Sequence, residues 1–147
     1  MRATLLLFFA AALLLGGCLP DQRLYLSTDS PPAGKSLVYF YRPLGPADDG
    51  PDPAIAAGGK EILYRLPRQS FWVYPIEPGT YTFSAAAPYT GSETVTIENG
   101  EEGEIYFIEL GYEYGAPDRF TLYLAGRGED SEPKELEGCF RLETKRL

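Results

Sequence analysis

The chain is divided into many short segments rich in β-branched and aromatic residues, and most of them end at a turn formed by glycine, proline or aspartate. Its 147 residues include 16 glycines and 13 prolines, the two residue types that disfavour helices most. No segment after residue 18 keeps apolar residues at helical spacing. The predicted strands are residues 36–42, 54–57, 61–66, 70–76, 80–86, 94–97, 104–114, 120–124 and 136–142.

Two of these segments have informative patterns. Residues 80–86 alternate polar and apolar side chains, which predicts one buried and one solvent-facing side. Residues 36–42 have apolar side chains at both odd and even positions, which predicts a strand covered on both faces. The Pro78-Gly79 pair predicts a tight turn, with Gly79 at positive φ, that joins residues 70–76 to 80–86 as a hairpin.

Short strands with closely spaced turns predict an all-β fold. We expect a single antiparallel β-sandwich over residues 35–147, with a partly open β-barrel as the alternative. Residues 18–34 contain a proline pair and no apolar period, so we expect a flexible tether there. Within it, residues 24–26 are alternatively a short edge strand.

Residues 1–17 have the three-part organisation of a secretory signal peptide. Arg2 gives the positive region, residues 5–15 form an apolar run, and two glycines precede Cys18. The run is shorter than the roughly 20 apolar residues that a membrane-spanning helix needs. An ordinary signal peptide with an incidental cysteine is the alternative to a lipoprotein signal.

Residues 15–18, Leu-Gly-Gly-Cys, resemble the bacterial lipobox. The resemblance implies cleavage between Gly17 and Cys18, acylation of Cys18, and attachment to the membrane through that lipid. Two or three acyl chains anchor a protein stably, because each buried methylene contributes about 0.8 kcal/mol. The next residue is Leu19, whereas aspartate at that position resembles an inner-membrane retention signal. We therefore expect a periplasm-facing location at the outer membrane.

Charge and composition exclude several classes of function. The chain has 21 acidic and 13 basic residues and no histidine. An acidic domain is a poor partner for nucleic acid. Without histidine, a Ser-His-Asp triad, a Cys-His pair and a histidine-ligated metal are excluded. We therefore predict no enzymatic activity, no catalytic residue, no cofactor and no metal.

Two polar features have alternative interpretations. The loop at residues 44–53 carries Asp48, Asp49 and Asp52, but it lacks the spacing of a calcium-binding loop, so we interpret it as a solvated turn. Cys139 has no intramolecular partner if Cys18 is acylated. It then either pairs between chains or is a buried thiol, and we favour the buried thiol.

Three motifs in order behind the lipobox resemble a family of small bacterial lipoproteins known only as a domain of unknown function. They are the strand end at residues 38–43, the Gly-Gly hairpin at residues 58–59, and the turn and strand at residues 78–83. The Pro-Gly turn that enters a strand is also similar to PEGA-type surface domains, which are β-sandwich modules. The resemblance implies a fold and carries no functional residue.

Tyrosine and tryptophan are abundant in the predicted strands and suit recognition surfaces, because they give contact area at low entropic cost. The alternative is that these rings fill the space between two sheets. The candidate binding residues are Tyr39, Tyr41, Trp72, Tyr74 and Tyr106, with Tyr112 and Tyr114 as further members. We predict a non-enzymatic protein-interaction or scaffold module at the cell envelope. A module that binds an envelope glycan or small ligand through exposed aromatics is the alternative.

Overall fold

The computed structural model describes residues 23–45, 50–113 and 116–143, with only the backbone described for residues 116–118. Two short 3-10 helices, Glu129–Ser131 and Lys134–Gly138, are the only helices in these ranges. Nine strands account for most of the remaining structure. They are β1 (Ser36–Arg42), β2 (Ala54–Ala57), β3 (Lys60–Leu63), β4 (Ser70–Ile76), β5 (Gly79–Ala86), β6 (Ser92–Gly100), β7 (Ile105–Glu113), β8 (Ala116–Arg127) and β9 (Phe140–Arg141).

The strands form two sheets, which confirms the predicted all-β sandwich. The first sheet has the order β8-β7-β1-β4-β9 and the second the order β3-β2-β5-β6. A single apolar core lies between them. Phe40 of β1 reaches across to Phe83 of β5, with ring centroids 5.1 Å apart in a T-shaped contact. The described strands make two sheets and not the barrel that was the alternative.

The strand β1 lies at the centre of the first sheet and is buried along its whole length. Val38 and Phe40 point into the core between the sheets. Leu37, Tyr39 and Tyr41 point to the other face, where Leu136 and Cys139 cover them. Both faces of β1 are therefore covered, as its two-sided apolar pattern predicts. The segment after β8 supplies this outer layer, which packs on the first sheet from outside.

The first sheet is mixed, so the expectation of a purely antiparallel sandwich was wrong. The strand β1 pairs antiparallel with β4 but parallel with β7. The strand β9 is also parallel to β4. The reason is the order of the chain, because β5 and β6 belong to the other sheet. The chain therefore returns to the first sheet beside β1 running in the same direction.

The turn before β5 does not form the predicted hairpin, because β4 and β5 lie in different sheets. Residues 77–78 carry the chain from one sheet to the other. Gly79 is the first residue of β5, lies opposite Gly100 of β6, and has a φ of 147°. The positive φ that the sequence predicts is therefore present, at a corner between sheets.

The C-terminal segment also differs from the expected strand 136–142. A 3-10 helix covers Lys134–Gly138, and the strand β9 has only two residues. The amide of Cys139 donates to the carbonyl of Leu136, which closes the last turn of this helix. Leu136 can thereby point into the outer layer, where it is fully buried. Tertiary packing here overrides a local pattern that resembles a strand.

The segment expected to be a flexible tether is packed against the domain from residue 23 onward. Leu24 forms an antiparallel bridge with Phe140, the first residue of β9. Tyr25 is buried against the rings of Tyr39 and Phe71 in edge contacts. The tether boundary at residue 34 was therefore wrong, and the alternative of an edge strand at residues 24–26 is closer to the structure. Residues 18–22 lie outside the described ranges.

Candidate functional site

One end of the sandwich carries most of the candidate recognition surface. The strands β1, β3, β5 and β7 end there, and β2, β4, β6 and β8 begin there, as the register of the strand pairs requires. We call the connecting segments, residues 43–53, 64–69, 87–91 and 114–115, the loop end. Residues 46–49 and 114–115 of it are not described. Segments of this kind on a rigid scaffold are where binding sites concentrate.

Three large apolar side chains of the loop end are exposed to solvent. Leu44 is 59% exposed, Tyr64 76% and Tyr89 fully exposed. Tyr89 also has a positive φ of 66°, as Gln69 does in the neighbouring segment. Such a backbone is uncommon for residues other than glycine and asparagine. The loop end therefore presents the Tyr89 ring from a left-handed backbone conformation.

A cleft of about 290 Å³ lies between these segments. The Nε atom of Arg65 lies 3.5 Å from the Oδ2 atom of Asp52, so an ion pair borders the cleft beside Tyr64. This arrangement offers an aromatic face with a hydrogen-bond donor and an acceptor next to it. The residues that line the cleft are Asp52, Ala54, Tyr64, Arg65, Ala86 and Pro88.

A buried arginine holds the loop end together. The guanidinium of Arg42 is inaccessible to solvent and lies 3.0 Å from the carboxylate of Asp52. It also donates to the carbonyls of Gly50, at 2.8 Å, and Leu66, at 3.2 Å. Three acceptors from two separate segments therefore converge on one rigid donor group. Arg42 was predicted only to end a strand, and nothing local in the sequence indicates that it is buried.

Tyr112 of β7 packs against the same arginine. The guanidinium carbon of Arg42 lies 5.4 Å from the centre of the Tyr112 ring, within cation–π range. The Tyr112 hydroxyl donates to the carbonyl of Pro51 at 2.6 Å. A side chain at Gly50 would place its first carbon 2.4 Å from the Tyr112 ring, so only glycine fits there. The segment 50–52 is therefore fixed from both sides.

The aromatic residues chosen from the sequence are in the core and not on the surface. Tyr39, Tyr41 and Tyr106 are at most 1% exposed and Trp72 is 8% exposed. Tyr74 is half-buried and packs against the core between the sheets. Their prediction as exposed binding residues was wrong, because they sit in strands whose two faces are both covered. Tyr114 lies outside the described residues.

The hydroxyl groups of two buried tyrosines, Tyr39 and Tyr41, are placed on polar partners. The Tyr41 hydroxyl donates to the Glu109 carboxylate at 2.7 Å, and burial followed by this carboxylate raises the pKa of Tyr41 above its ordinary value. The Tyr39 hydroxyl accepts a hydrogen bond from the amide of Asp29, and burial raises the pKa of Tyr39 to about 12. Both rings are thus structural parts of the outer layer.

Cys139 is the free thiol of the described chain and is fully buried, as the favoured interpretation predicts. Its Sγ atom donates to the carbonyls of Arg42 and Glu135 at 3.7 and 3.6 Å. Burial raises the pKa of the Cys139 thiol to about 12. A thiol in this position is a packing group and a poor nucleophile.

Several sequence predictions fall outside the described residues. They are the signal peptide, the cleavage site at Gly17 and Cys18, and the aspartates Asp48 and Asp49. Across residues 23–45, 50–113 and 116–143, no helix is long and apolar enough to span a bilayer. The same residues contain no group of three or more cysteines and acidic residues placed to bind a metal ion.

The sequence contains a signal for one of the exposed tyrosines of the loop end. Tyr89 stands in a turn segment directly after Pro88, whereas Tyr64 falls within the predicted strand 61–66. An aromatic residue in a turn has no sheet face against which to bury its ring. The tyrosines of the predicted strands were chosen instead, because aromatic content there was highest.

Comparison with known proteins found no relative of this chain. No protein-family model, no curated protein and no solved structure matches the chain. The features that bear on function are therefore the geometry of the loop end and the sequence before residue 23.

Proposed function

We propose that this chain is a lipid-anchored bacterial envelope protein whose β-sandwich presents the loop end to a protein partner. The proposed anchor is the acylated Cys18, at the outer membrane and facing the periplasm. The proposed role is structural or adaptor-like and not enzymatic. The observation that carries the proposal is the joint exposure of Leu44, Tyr64 and Tyr89 at one end of the sandwich.

The composition of the loop end supports a protein partner. Aromatic residues are enriched in the centres of protein interfaces, and tyrosine is frequent among the residues that dominate binding energy. The contacts of Arg42 fix the segments on either side of the cleft before any partner arrives. Segments that are already ordered lose less conformational entropy on binding, so more of the contact energy remains as affinity.

The sequence supports a non-enzymatic role. The chain has no histidine to act as a general base near neutral pH. The carboxylate of Asp52, which borders the cleft, is engaged by Arg42 and Arg65. Both oxygens of this carboxylate therefore already have a cationic partner within the protein.

A second candidate function is binding of an envelope glycan in the cleft at Tyr64. The specific observation is the Asp52–Arg65 ion pair beside an exposed aromatic ring. A sugar offers hydroxyl groups to such a donor and acceptor and apolar ring faces to the tyrosine. Titration of the acylated protein with peptidoglycan fragments or lipopolysaccharide tests it. Binding that is lost on Arg65→Ala would favour the glycan, and no measurable heat would exclude it.

The anchor is tested by metabolic labelling with an alkyne fatty acid. The chain has two cysteines, which allows a matched pair of variants. We expect Cys18→Ser to abolish labelling and to leave an unprocessed precursor, while Cys139→Ser keeps the label. Label retained in Cys18→Ser would refute the proposed anchor.

The loop end is tested by photo-crosslinking in intact cells. A photoreactive amino acid at Thr90 lies beside Tyr89 and should give one adduct of defined mass. We expect the adduct to be lost in Tyr64→Ser and Tyr89→Ser, which remove exposed rings. Leu124→Ser is the control, because Leu124 is 39% exposed but lies on β8, away from the loop end. Equal adduct yield in all variants would show that the loop end is not the contact surface.

A further inference from the structure

The first described residues form a strand-like segment with one buried and one exposed side. The amide of Arg141 donates to the carbonyl of Arg23, and the amide of Tyr25 donates to the carbonyl of Cys139. Alternate side chains of an extended segment point to opposite sides. Tyr25 enters the outer layer, whereas Leu24 is 45% exposed and Leu26 87% exposed. Two neighbouring leucines therefore face solvent on the same side.

A cleft of about 360 Å³ lies along this segment. Phe71 and the Tyr25 ring give it apolar walls, and Arg23 and Arg141 place guanidinium groups at it. Arg141 also binds the Asp29 carboxylate at 2.8 Å, which connects the end of the segment to β9. The chain as a whole is acidic, with 21 acidic and 13 basic residues. Asp29 lines the same cleft and Glu143 lies 3.5 Å from Arg141, so carboxylates balance the two arginines and the exposed leucines distinguish this surface.

The covalent distance from Cys18 limits where this surface can lie. Arg23 is five positions after Cys18, and five residue steps of fully extended chain span at most about 18 Å. The same limit for Leu26 is about 29 Å, whatever the path of the chain between them. The headgroup region on one side of a bilayer is itself about 5–8 Å thick. Arg23 and its neighbours are therefore the described residues closest along the chain to the proposed lipid.

We propose that the surface formed by Arg23, Leu24, Leu26 and Arg141 contacts the phospholipid headgroups of the membrane that holds the acylated Cys18. This inference rests on the proposed function, since it requires the lipid at Cys18. Leucine side chains partition into the boundary between headgroups and acyl chains, so Leu24 and Leu26 make the main membrane contacts. The lipid thus supplies the affinity, while this surface sets the orientation of the domain.

The segment lies along one lateral edge of the sandwich. Leu24 is bridged to Phe140 of β9, and the amide of Phe140 donates to the carbonyl of Gln69. This surface therefore lies at the outer edge of the first sheet, close to the 64–69 segment of the loop end. The strand β6 packs against β8, at the opposite edge of that sheet. Tyr89, between β5 and β6, therefore lies on the side of the sandwich away from Leu24.

Depth-dependent fluorescence quenching tests the proposed membrane contact. The full acylated protein is reconstituted in phosphatidylethanolamine–phosphatidylglycerol vesicles that carry nitroxide-labelled headgroups. A bimane label is attached at Ser27→Cys, an exposed position next to Leu26 that keeps both leucines. The comparison label is at Tyr89→Cys, which is fully exposed at the loop end. Cys139 is buried and should not take the label under native conditions.

We expect strong quenching at position 27 and none at position 89. Replacing both Leu24 and Leu26 with serine should weaken the quenching at position 27, while Leu44→Ser leaves it unchanged. Flotation with the vesicles and the intact mass of the protein report acylation separately. A protein that is acylated and floats, but is not quenched at position 27, refutes the membrane-contacting surface alone. A protein that is not acylated refutes the proposed function and this inference together.

Discussion

The Nη1 atom of Arg42 lies 3.0 Å from the Oδ1 atom of Asp52, with the arginine side chain fully buried and the aspartate side chain 32% exposed. Removing one member of a buried ion pair leaves the other charge without compensation. We expect Asp52→Ala to lower the free energy of unfolding by about 3–5 kcal/mol, the range for such a loss. Urea denaturation of the purified domain measures it.

The same carboxylate offers a matched control. Arg65 lies 3.5 Å from Asp52 but its side chain is 62% exposed. Arg65→Met should therefore cost less than about 1 kcal/mol, as exposed ion pairs do. The double variant Arg42→Met/Asp52→Ala should cost less than the sum of the two single variants, because neither charge is then left alone. Strict additivity would show that the two residues do not interact.

Tyr25 should be the residue that fixes the N-terminal segment to the domain. Its ring is buried in edge contacts with Tyr39 and Phe71, so Tyr25→Ala leaves a cavity in the outer layer. We expect a loss of about 3–5 kcal/mol, as for other large aromatic truncations. Leu26→Ala, one position away and exposed, should change the free energy of unfolding by less than about 0.5 kcal/mol.

A truncation gives an independent test of the same segment. A domain that starts at Gly34 lacks Tyr25 and the hydrogen bonds to β9, so it should melt at a lower temperature than one that starts at Asp21. Equal melting temperatures would show that residues 23–29 contribute nothing to stability and behave as the tether first expected.

Gly79 tests the corner between the sheets. Its φ of 147° lies in a region that side chains with a Cβ atom rarely adopt, while the space around it is open. Gly79→Val should therefore cost about 1–3 kcal/mol from backbone strain alone. Gly91→Ala is the control, because that glycine has no positive φ and no atom within 4 Å of an added Cβ. Denaturant midpoints of both variants decide the matter, and equal midpoints would argue against strain at the corner.

Stability should fall under alkaline conditions. Burial raises the pKa of Cys139 to about 12 and that of Tyr39 to about 12, from ordinary values of 9.0 and 10.0. Above pH 9 the unfolded chain releases these protons while the folded chain still holds them, so stability decreases with rising pH. The contribution is complete below pH 9 and is lost by about pH 12.

Urea midpoints between pH 8 and pH 11 measure this dependence. Cys139→Ala should reduce its slope, because one of the groups that titrate differently in the two states is removed. A thiol reagent at neutral pH gives a second readout, since native Cys139 should react only after unfolding. An unchanged slope together with rapid native labelling would contradict the burial of this thiol.

Local sequence patterns predicted the features that depend on local chemistry. The two-sided apolar pattern of β1 predicted its burial on both faces, and the positive φ of Gly79 followed from its place after Pro78. The pairing of strands was less accessible, because a pattern of residues shows which faces are buried but not which strand lies alongside. Neither segment by itself therefore predicts that β1 and β7 pair in parallel.

The candidate site was missed for a related physical reason. Aromatic residues in strands looked like a recognition surface, but both faces of the first sheet turned out to be covered, so Tyr39 and Trp72 are core residues. The burial of Arg42 depends on carbonyls that distant segments bring to it. The exposure of Tyr89 depends on a turn that points its ring away from both sheets. None of these relations is encoded within a few residues.

The bridge between Leu24 and Phe140 also has a consequence for the order in which the protein is made. The first described segment pairs with the last described strand, so this sheet edge cannot close until almost the entire chain has been synthesised. Contacts between residues so distant in sequence form slowly. Assembly of the outer layer would thus be the last step of folding and would follow the release of the C-terminal segment.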